Sequence, residues 1–499
     1  HEILNKAIQN NKKVLVIGDY DVDGCVATSL FVNFFKILKK DIDYYIPNRF
    51  TDGYGAKLAL IKKVVKKNPG LIIMVDCGSN ATDSIDYLNS LSIDTIIIDH
   101  HEIYEPYPKT KCLINPKKKC DYKYLDYLCS STLVYFFIDL FLINKSLKKK
   151  FRENLIYVLL ASICDVMPLR NINRIIAINV LKEKQIENNF IFNKIIELKK
   201  IKRKIEIDDF AFLFGPIINS AGRLGDANDV VKLLSFTNLS DVEKIIKHLI
   251  STNEKRKKIE NDYFNEININ DIKKKKNNVL IEYKHILNEG IIGIIASKLT
   301  DYFHKPAVVL TMANENYKAS ARSTSHFNIG KYIKDAIQKK IILSGGGHNL
   351  AAGFSIKKNK IKEFENFINK SYLEKNSSLS KRYITKISLD AINKNFFDML
   401  NKLKPFGVNN ENPIFLLEKI RIYKPKILKN KFVSFYVKSA NRKLIPGISF
   451  TFTESEVAQN LLYNKNEMSL IIQIKENNWN NKKNLQLIVL DVIRDPNKA

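Results

Sequence analysis

The sequence predicts an α/β protein in which a parallel sheet is followed by a long helix, a smaller second α/β domain and a small C-terminal β-barrel. Over the first 120 residues, short apolar runs rich in β-branched side chains alternate with helix-like stretches, which is typical of βαβ units buried on both faces of a sheet. Residues 241–267 are charged, have helical apolar spacing and contain no Gly or Pro. Beyond about residue 380, short runs alternate apolar and polar side chains, as half-buried strands do.

The chain has 499 residues, which at roughly 150 residues per domain is enough for about three domains. The long helix and the change of pattern near residue 380 mark the boundaries between them. The predicted parts are a first domain at 1–238, a connecting helix and loop at 239–275, a second domain at 276–375 and a barrel at 380–499.

The formal net charge of +29 suggests a polyanionic partner such as nucleic acid. Lysine is abundant throughout the chain, including in plain helices, so individual arginines carry more weight than the bulk charge. The lysine-rich stretch at 268–278 is either a patch that faces nucleic acid or a solvated loop, and the loop is favoured.

Cysteine usage and hydropathy exclude several classes of protein. The six cysteines show no CxxC spacing, which predicts reduced thiols in a cytoplasmic protein rather than disulfides or a zinc site. No run of about 18 apolar residues and no signal peptide is present, so no membrane association is expected.

The three apolar runs of the first domain, at 13–19, 71–76 and 94–101, all end in acidic side chains. The polar side chains at these ends are Asp19, Asp21, Asp23, Asp76, Asp99, His100 and His101. In open α/β sheets the functional crevice lies beyond the carboxyl ends of the strands, so the three ends converge on one site. Like charges packed so closely repel one another, which favours a bound cation over a merely solvated acidic turn.

The side-chain types indicate which cation this is. Several carboxylates with one or two imidazoles and no nearby thiolate suit Mn²⁺ or Mg²⁺. More carboxylates are present than one ion needs, and two ions about 3.5–4 Å apart are the usual arrangement in phosphoryl chemistry. Either histidine alone would be an ordinary strand-end residue, but the adjoining Asp99 and the two other acidic strand ends favour a metal site.

Four segments resemble the motifs of the DHH phosphoesterase superfamily: GDYDVDG (18–24), VDCG (75–78), DHH (99–101) and ASICDVMPL (161–169). Seven more resemble, in chain order, those of the bacterial RecJ single-strand-specific exonucleases. They are YIPNRFTDGYG (45–55), LINPKK (113–118), NSAGRLGDA (219–227), EGIIGIIASKL (289–299), ASARS (319–323), GGGHNLAAGFS (345–355) and LKPFGVNNENPIF (403–415).

The resemblance implies that the three domains are a DHH domain, a DHHA1 domain and an OB-fold. It implies a 5′ to 3′ exonuclease that hydrolyses phosphodiester bonds of single-stranded DNA with two Mn²⁺ or Mg²⁺ ions, in DNA repair and recombination. A single-strand-binding protein and a RecQ-type helicase are the implied partners, and the chain is expected to be a monomer.

Roles for individual residues also follow from the resemblance. The implied metal ligands are Asp21, Asp23, Asp76, His100 and Asp165, with Asp19 a ligand or a close partner. Asp99 would orient the imidazole next to it, as carboxylates do for metal-bound histidines, and His101 would face the scissile phosphate.

Fixed cations are expected to meet the charge that develops on the phosphate. Arg223, Arg322 and His348 are the candidates. Arginine suits this role because its fork can bind two phosphate oxygens. Glycines 345–347 are expected to approach a phosphate in the manner of an anion-binding nest. The candidate phosphate-binding residues are Arg49, Asn219, Ser320, Ser323, Gly346 and Gly347.

In the barrel, the aromatic residues Phe432, Phe435, Tyr436 and Trp479 are as suited to the core as to base stacking.

Two segments depart from the RecJ pattern. CSSTLVYFF (129–137) replaces a small, glycine-containing stretch, and LNEG (287–290) has Leu287 and Asn288 in place of Trp-His. We expect these departures to change strand binding or rate but not the metal site.

The alternative functions are a DHH phosphodiesterase for short oligonucleotides or cyclic dinucleotides and an inactive DHH scaffold of a replication complex. The barrel and residues 403–415 favour a long strand, and the retained carboxylates disfavour the scaffold.

Overall fold

The computed structural model describes the chain except for residues 120–122, 184, 237, 267–271, 273–276, 285–286, 314, 374–382, 429–431, 439–443, 452, 454, 480–481 and 494–499. Most of the lysine-rich stretch at 268–278 therefore lies outside the described residues. The chain forms two compact units, His1–Asn376 and Ser377–Ala499.

The first unit begins with a five-stranded sheet in which every neighbouring pair is parallel, as predicted. Its strands, in the spatial order β2-β1-β3-β4-β5, are β1 (Val14–Ile17), β2 (Asp43–Tyr45), β3 (Leu71–Val75), β4 (Asp94–Ile98) and β5 (Cys112–Ile114). β1 and β3 are buried along their whole length. Both faces of the sheet are covered, which is why these strands are continuously apolar rather than alternating.

Helices cover the two faces of this sheet. They are α1 (Glu2–Gln9), α2 (Val22–Ile37), α3 (Leu58–Val64), α4 (Thr82–Ser90), α5 (Ser130–Phe141), α6 (Lys145–Phe151), α7 (Leu155–Cys164), α8 (Asn171–Lys182), α9 (Gln185–Asn188), α10 (Phe190–Leu198), α11 (Ile207–Asp209), α12 (Gly215–Leu224) and α13 (Asn228–Leu234). Val14, Val16 and Val75 lie in one core with α2, α5 and α7. Leu15 and Met74 lie in a second core with α3 and α4.

The charged segment forms one helix, α14 (Leu239–Glu266), that belongs to two hydrophobic cores. Val242, Ile246 and Leu249 pack into the core of the first sheet. Tyr263, near the other end, packs with residues of the second sheet and its helices. The helix therefore links two lobes of the first unit: the first lobe, residues 1–238, and the second lobe, residues 277–373.

The second lobe is a mixed sheet of five strands. In the spatial order β6-β7-β8-β10-β9, they are β6 (Leu280–Lys284), β7 (Ala307–Ala313), β8 (Asn316–Arg322), β9 (Ser344–Gly347) and β10 (Ala351–Ile356). β6 is parallel to β7 and the other pairs are antiparallel. The helices of this lobe are α15 (Ile292–Phe303), α16 (Ile329–Gln338) and α17 (Ile361–Leu373).

In its described residues, the second unit contains seven strands and two helices. The strands, in the spatial order β11-β12-β16-β17-β15-β14-β13, are β11 (Thr385–Lys386), β12 (Phe415–Ile420), β13 (Ile422–Leu428), β14 (Phe432–Lys438), β15 (Leu444–Ser449), β16 (Met468–Trp479) and β17 (Lys482–Ile493). The helices are α18 (Lys394–Asn401) and α19 (Glu456–Tyr463). Only Arg421 separates β12 from β13, although the two lie near opposite ends of the strand order. The sheet must therefore curl on itself, which confirms the predicted barrel.

One segment of the barrel differs from the strand that its alternating side chains predict. Residues 384–390 read as a full strand in the sequence, but only Thr385–Lys386 pair, and a 3₁₀ turn follows at Leu389–Ala391. Phe435 lies in the core, whereas Tyr436 is 39% exposed. The side chain of Trp479 lies outside the described residues.

The part of the chain that the structure describes contains no helix that is both long and apolar enough to span a membrane. The five described cysteines, Cys25, Cys77, Cys112, Cys129 and Cys164, are free thiols. The sixth, Cys120, lies outside the described residues.

Candidate active site

The turn between β1 and α2 carries the first three carboxylates of the site. Asp21 is the N-cap of α2, and its Oδ1 accepts a hydrogen bond from Gly24 N at 3.0 Å, as short acidic side chains do at helix starts. Gly24 allows the chain to fold back tightly, since a Cβ there would lie 2.4 Å from Asp19 N. Asp19 and Asp23 are both buried in this turn, at 2% and 1% exposure.

The N-terminus of α5 fixes the orientation of Asp23. Its two carboxylate oxygens accept hydrogen bonds from Ser130 N and Ser131 N, both at 2.8 Å. Backbone N–H groups at a helix start favour negative charge. Asp23 is therefore held as a rigid carboxylate rather than a mobile one.

Asp76 follows β3 directly and adopts a left-handed backbone conformation with φ of 58°. Its backbone N donates to Ile98 O at 3.0 Å, and its Oδ1 accepts from Ser130 Oγ at 3.0 Å. A positive φ is uncommon for residues other than glycine and is concentrated at functional sites. The turn directs the Asp76 carboxylate toward Asp19, Asp21 and the two histidines.

Asp165, just after α7, completes a ring of carboxylates around His100. His100 Nε2 lies 3.4 Å from Asp76 Oδ1, 3.4 Å from Asp165 Oδ2 and 3.8 Å from Asp23 Oδ2. The third separation exceeds a hydrogen bond and the first two are at its long limit. Among the residues that the structure describes, three overlapping groups could each hold an ion: Asp19, Asp21 and Asp76; Asp23, His100 and Asp165; Asp76, His100 and His101. The residues that the sequence identified as ligands, Asp19, Asp21, Asp23, Asp76, His100 and Asp165, are all brought together here.

The electrostatics of this cluster fit a divalent cation. Asp19 Oδ1, Asp76 Oδ2, Asp165 Oδ2 and His100 Nδ1 are buried and have no hydrogen-bond partner. Burial, together with the charges of neighbouring aspartates, raises the pKa of Asp76 and Asp165 well above the ordinary value and that of Asp19 to about 8. Burial lowers the pKa of His100 to about 4. A divalent cation would provide these buried atoms with the partner that the described protein groups do not supply.

Asp99 orients His101, which corrects the expectation that it holds the ring of His100. Its Oδ1 lies 2.8 Å from His101 Nδ1 and accepts from His101 N at 3.1 Å, whereas its hydrogen bond to His100 is with the backbone N, at 2.7 Å, and not with the ring. The Asp99 carboxylate also accepts from Ser79 N. Together these hydrogen bonds leave the carboxylate directed at the His101 ring. Burial lowers the pKa of His101, but the hydrogen bond and charge of Asp99 outweigh burial and raise it to about 9. His101 Nε2 lies 2.8 Å from the hydroxyl of Tyr54.

Three predicted phosphate-binding arginines lie close together where the two lobes meet. Arg223 Nη1 donates to Gly290 O of the second lobe at 3.0 Å. Arg49 Nε donates to Gly222 O at 2.8 Å, and its guanidinium lies 4.0 Å from the centre of the Tyr20 ring. Burial and the charges of Arg49, Arg256 and Arg322 lower the pKa of Arg223 to about 10. Such a concentration of positive charge favours an anion.

The remaining polar candidates divide into two groups. Ser320 Oγ accepts from Arg322 Nη1 at 3.3 Å, and Asn219 precedes Arg223 by four residues on α12, which places both on one helix face. Ser323 Oγ instead donates to Phe327 O at 2.6 Å, so its hydroxyl proton serves the local turn. Ser320 and Asn219 therefore accompany the arginines, whereas Ser323 has a structural contact.

The predicted anion nest at glycines 345–347 is wrong. A nest needs alternating backbone conformations that include positive φ, but these glycines lie in β9, and none of them has positive φ. A Cβ at Gly347 would lie 2.4 Å from Ala351 O, whereas one at Gly346 would meet no atom within 4 Å. Gly347 therefore allows β9 to pack against β10, and Gly346 leaves an open edge. His348 follows at the turn, with its Nδ1 3.9 Å from Glu102 Oε1 of the first lobe.

Sequence reasoning missed three groups at this site: Ser130, Tyr54 and Glu102. Ser130 belongs to the segment that departs from the family pattern, and its hydroxyl and backbone contact two candidate ligands. The other departure, Asn288, caps its own turn by accepting from Gly290 N at 2.8 Å. Tyr54 lies in the segment 45–55, and its pattern gave no indication of the contact with His101. Placing Ser130, Tyr54 and Glu102 required the fold, since none of the three is close in sequence to its partner at the site.

Buried cysteine thiols also line the cluster but do not join it. Burial and neighbouring aspartates raise the pKa of Cys25, Cys77, Cys129 and Cys164. Only thiolates are good metal ligands. The site is thus one of oxygen and imidazole donors.

Models of known families match three successive parts of the chain. The DHH family N-terminal domain matches residues 13–163, the DHHA1 domain residues 276–374 and the RecJ OB domain residues 385–491. The chain thus has the three successive domains of a DHH-type protein, and the resemblance found in the motifs is confirmed. The chain is similar to RecJ proteins over nearly its whole length.

Individual relatives agree with this assignment. A single-stranded-DNA-specific exonuclease RecJ of Bacillus subtilis is 27% identical over 502 residues, covering 98% of this chain and 62% of the relative. The chain thus spans less than two thirds of that protein. A RecJ of Salmonella typhimurium is 26% identical and is covered to 89%. A solved structure of Thermus thermophilus RecJ in complex with Mn²⁺ matches 99% of this chain and 71% of its own, with a TM-score of 0.82 and 20% identity, which shows the same fold.

Proposed function

We propose that the chain is a metal-dependent exonuclease that hydrolyses single-stranded DNA in the 5′ to 3′ direction. The observation that carries the proposal is the set of buried, unpartnered carboxylate oxygens beneath arginines from both lobes. The relatives named as single-stranded-DNA-specific exonucleases support the choice of substrate. The solved Thermus relatives with Mn²⁺ or Mg²⁺ support the choice of ions.

Asp19, Asp21, Asp23, Asp76, His100 and Asp165 would hold two Mn²⁺ or Mg²⁺ ions. When bound, such ions supply the Lewis acidity that activates water and neutralises charge on a phosphate. The rigid hydrogen bonds of Asp23 and Asp76 keep the donors in place before an ion or a strand binds. This preorganisation is what lets a site stabilise a transition state without rearranging.

The remaining residues bind and orient the phosphate. Asp99 holds the proton of His101 at Nδ1, which leaves Nε2 directed at the crevice, where Tyr54 contacts it. Arg49, Arg223 and Arg322 would bind phosphate oxygens, with Ser320 and Asn219 beside them. His348 of the second lobe and the open edge of β9 at Gly346 would approach the same strand from the opposite side.

The barrel supports binding of a strand longer than a dinucleotide. Tyr423 and Tyr436 stand opposite each other on β13 and β14 and are 40% and 39% exposed. Exposed aromatic rings among lysines suit base stacking on a single strand. As part of the proposal, the chain acts as a cytoplasmic monomer in DNA repair and recombination, beside a single-strand-binding protein and a RecQ-type helicase.

A digestion time course tests the proposal. Purified protein with Mn²⁺ is given 5′-labelled single-stranded DNA, 3′-labelled single-stranded DNA or a blunt duplex. We expect mononucleotide from the 5′ label, progressive shortening of the 3′-labelled strand and an intact duplex. Asp76→Asn should abolish cleavage, and Asp86→Asn, at an exposed carboxylate on α4, should leave it unchanged.

Other outcomes would contradict the proposal in distinct ways. Cleavage of dinucleotides or cyclic dinucleotides with survival of long strands would identify a short-substrate phosphodiesterase. Absence of both cleavage and Mn²⁺ binding would identify a scaffold without catalysis.

A further inference from the structure

The loop that follows β4 is fixed on both sides of Glu102. Asn115 Nδ2 donates to His101 O at 2.9 Å, and Asn80 Nδ2 donates to Glu102 O at 2.6 Å. Asn80 Oδ1 in turn accepts from Tyr104 N at 3.1 Å. The backbone around Glu102 is therefore held in one place, only two residues beyond the candidate ligand His100.

Side chains of this loop reach the second lobe at two points. Glu102 Oε1 lies 3.9 Å from His348 Nδ1. Lys334 Nζ, on α16, lies 4.1 Å from the centre of the Tyr104 ring, within the range of a cation–π contact. We call these four residues, Glu102, Tyr104, Lys334 and His348, the clasp.

Lys117 anchors the Glu102 carboxylate from the first lobe. Its Nζ lies 3.3 Å from the same Oε1 that faces His348. Glu102 thus stands between a lysine of its own lobe, with which its charge pairs, and the imidazole of a histidine of the other lobe. The carboxylate has a defined direction although its side chain is 45% exposed.

We propose that Glu102 is a positioning residue that holds His348 of the second lobe over the acidic cluster. This inference rests on the proposed function, because His348 is taken to meet the substrate phosphate. An imidazole on a turn with a 53% exposed side chain would otherwise sample many directions. Fixing it in advance lowers the entropy lost when the phosphate charge develops.

The chain offers a matched control on the same loop. Glu105 forms an ion pair of 3.0 Å with Lys119 and accepts a hydrogen bond from the Tyr107 hydroxyl, both in the first lobe. Glu105→Gln therefore removes a similar carboxylate without touching the clasp. Exposed ion pairs contribute little to stability, so both Gln variants are expected to fold.

Steady-state cleavage of single-stranded DNA tests how Glu102 acts. Glu102→Gln should lower kcat about tenfold with KM nearly unchanged, since a misdirected group costs rate rather than affinity. Glu105→Gln should match the unchanged protein. In a His348→Gln background, Glu102→Gln should have no further effect, because its effect passes through His348. A full additional loss in that background, or no loss in the single variant, would overturn the proposal.

Hydrogen exchange tests the clasp without relying on catalysis. Amides of residues 344–350 should exchange faster in Glu102→Gln than in Glu105→Gln or the unchanged protein. Equal exchange in all three would overturn the clasp even if the protein cleaves DNA. Failure of the proposed function is recognised separately, by an unchanged protein that binds Mn²⁺ but cleaves no strand.

Discussion

Serine side chains and backbone groups at the start of α5 organise two of the buried carboxylates. Ser130 donates its backbone N–H to Asp23 and its hydroxyl to Asp76, whereas the Ser131 hydroxyl donates to the backbone O of Asp23. These contacts lie in the segment that departs from the family pattern. The departure therefore keeps support for the carboxylates, now partly supplied by a hydroxyl.

Ser130→Ala should weaken Mn²⁺ binding about tenfold, because partners that orient metal ligands typically contribute this much or more to affinity. The backbone N–H to Asp23 remains, so the fold should be retained. Ser131→Ala is the matched control, since its hydroxyl touches no ligand carboxylate. Isothermal titration of the three proteins with Mn²⁺ measures the difference, and equal affinities would contradict the role of Ser130.

The strand-end carboxylates could be predicted from sequence because parallel strands bring their carboxyl ends to one edge. Asp165 could be placed only by its motif, since it follows an apolar helix. The partner of Asp99 could not be predicted, because the choice between His100 and His101 depends on how the turn directs two adjacent rings. Ser130 and Tyr54 could not be predicted either, since their contacts join residues far apart in sequence.

At the scale of elements, β9 shows how a glycine run can serve packing rather than ligand binding. Gly347 lies against Ala351 and Ala352 of β10, and Gly346 faces open space. Periodicity cannot reveal this difference, because glycine carries no side chain by which to read a face. The two positions can be separated by substitution.

Gly347→Ala should lower the free energy of unfolding by about 1–3 kcal/mol, as overpacking of a fitted interior does, whereas Gly346→Ala should leave it nearly unchanged. Urea denaturation of the unchanged protein and both variants measures the two effects. Similar losses at both positions would show that β9 requires glycine for its backbone conformation rather than for space.

The regular elements followed their patterns more closely than the irregular ones. Continuous apolar runs became the buried parallel strands, and the charged segment became α14. The π-helical turn at Phe210–Phe214 has no period of its own to read. The length of a short strand such as β11 depends on the strands that pair with it. The alternating pattern at 384–390 therefore predicts a longer strand than the one observed at Thr385–Lys386.

At the scale of the molecule, the two compact units have separate hydrophobic cores. Apolar side chains of the barrel, among them Phe435, Leu470 and Leu487, pack with one another. A domain with its own core can in principle fold alone. The boundary near residue 376 is therefore a place where the chain can be divided.

Residues 377–499 expressed alone should unfold in one cooperative thermal transition, and residues 1–376 should retain Mn²⁺ binding, because the candidate ligands all lie in that unit. Compared with the full chain, residues 1–376 should bind long single strands more weakly and with a smaller dependence on salt, since fewer cations contact phosphates. Calorimetry and strand binding at several salt concentrations measure these properties. A barrel fragment without a transition would show that the two units need each other.

The Asp76 carboxylate couples two possible ion positions, so metal binding at this site depends on the whole cluster. Asp76 belongs to two of the three groups that could hold an ion, so an ion that engages it alters the field at the neighbouring position. Two occupancies that share a ligand are thermodynamically linked, and linkage of this kind is reciprocal. Binding of one ion therefore changes the affinity for the other, so the curve of bound metal against metal concentration departs from a simple hyperbola. Substitution of Asp76 should remove this departure.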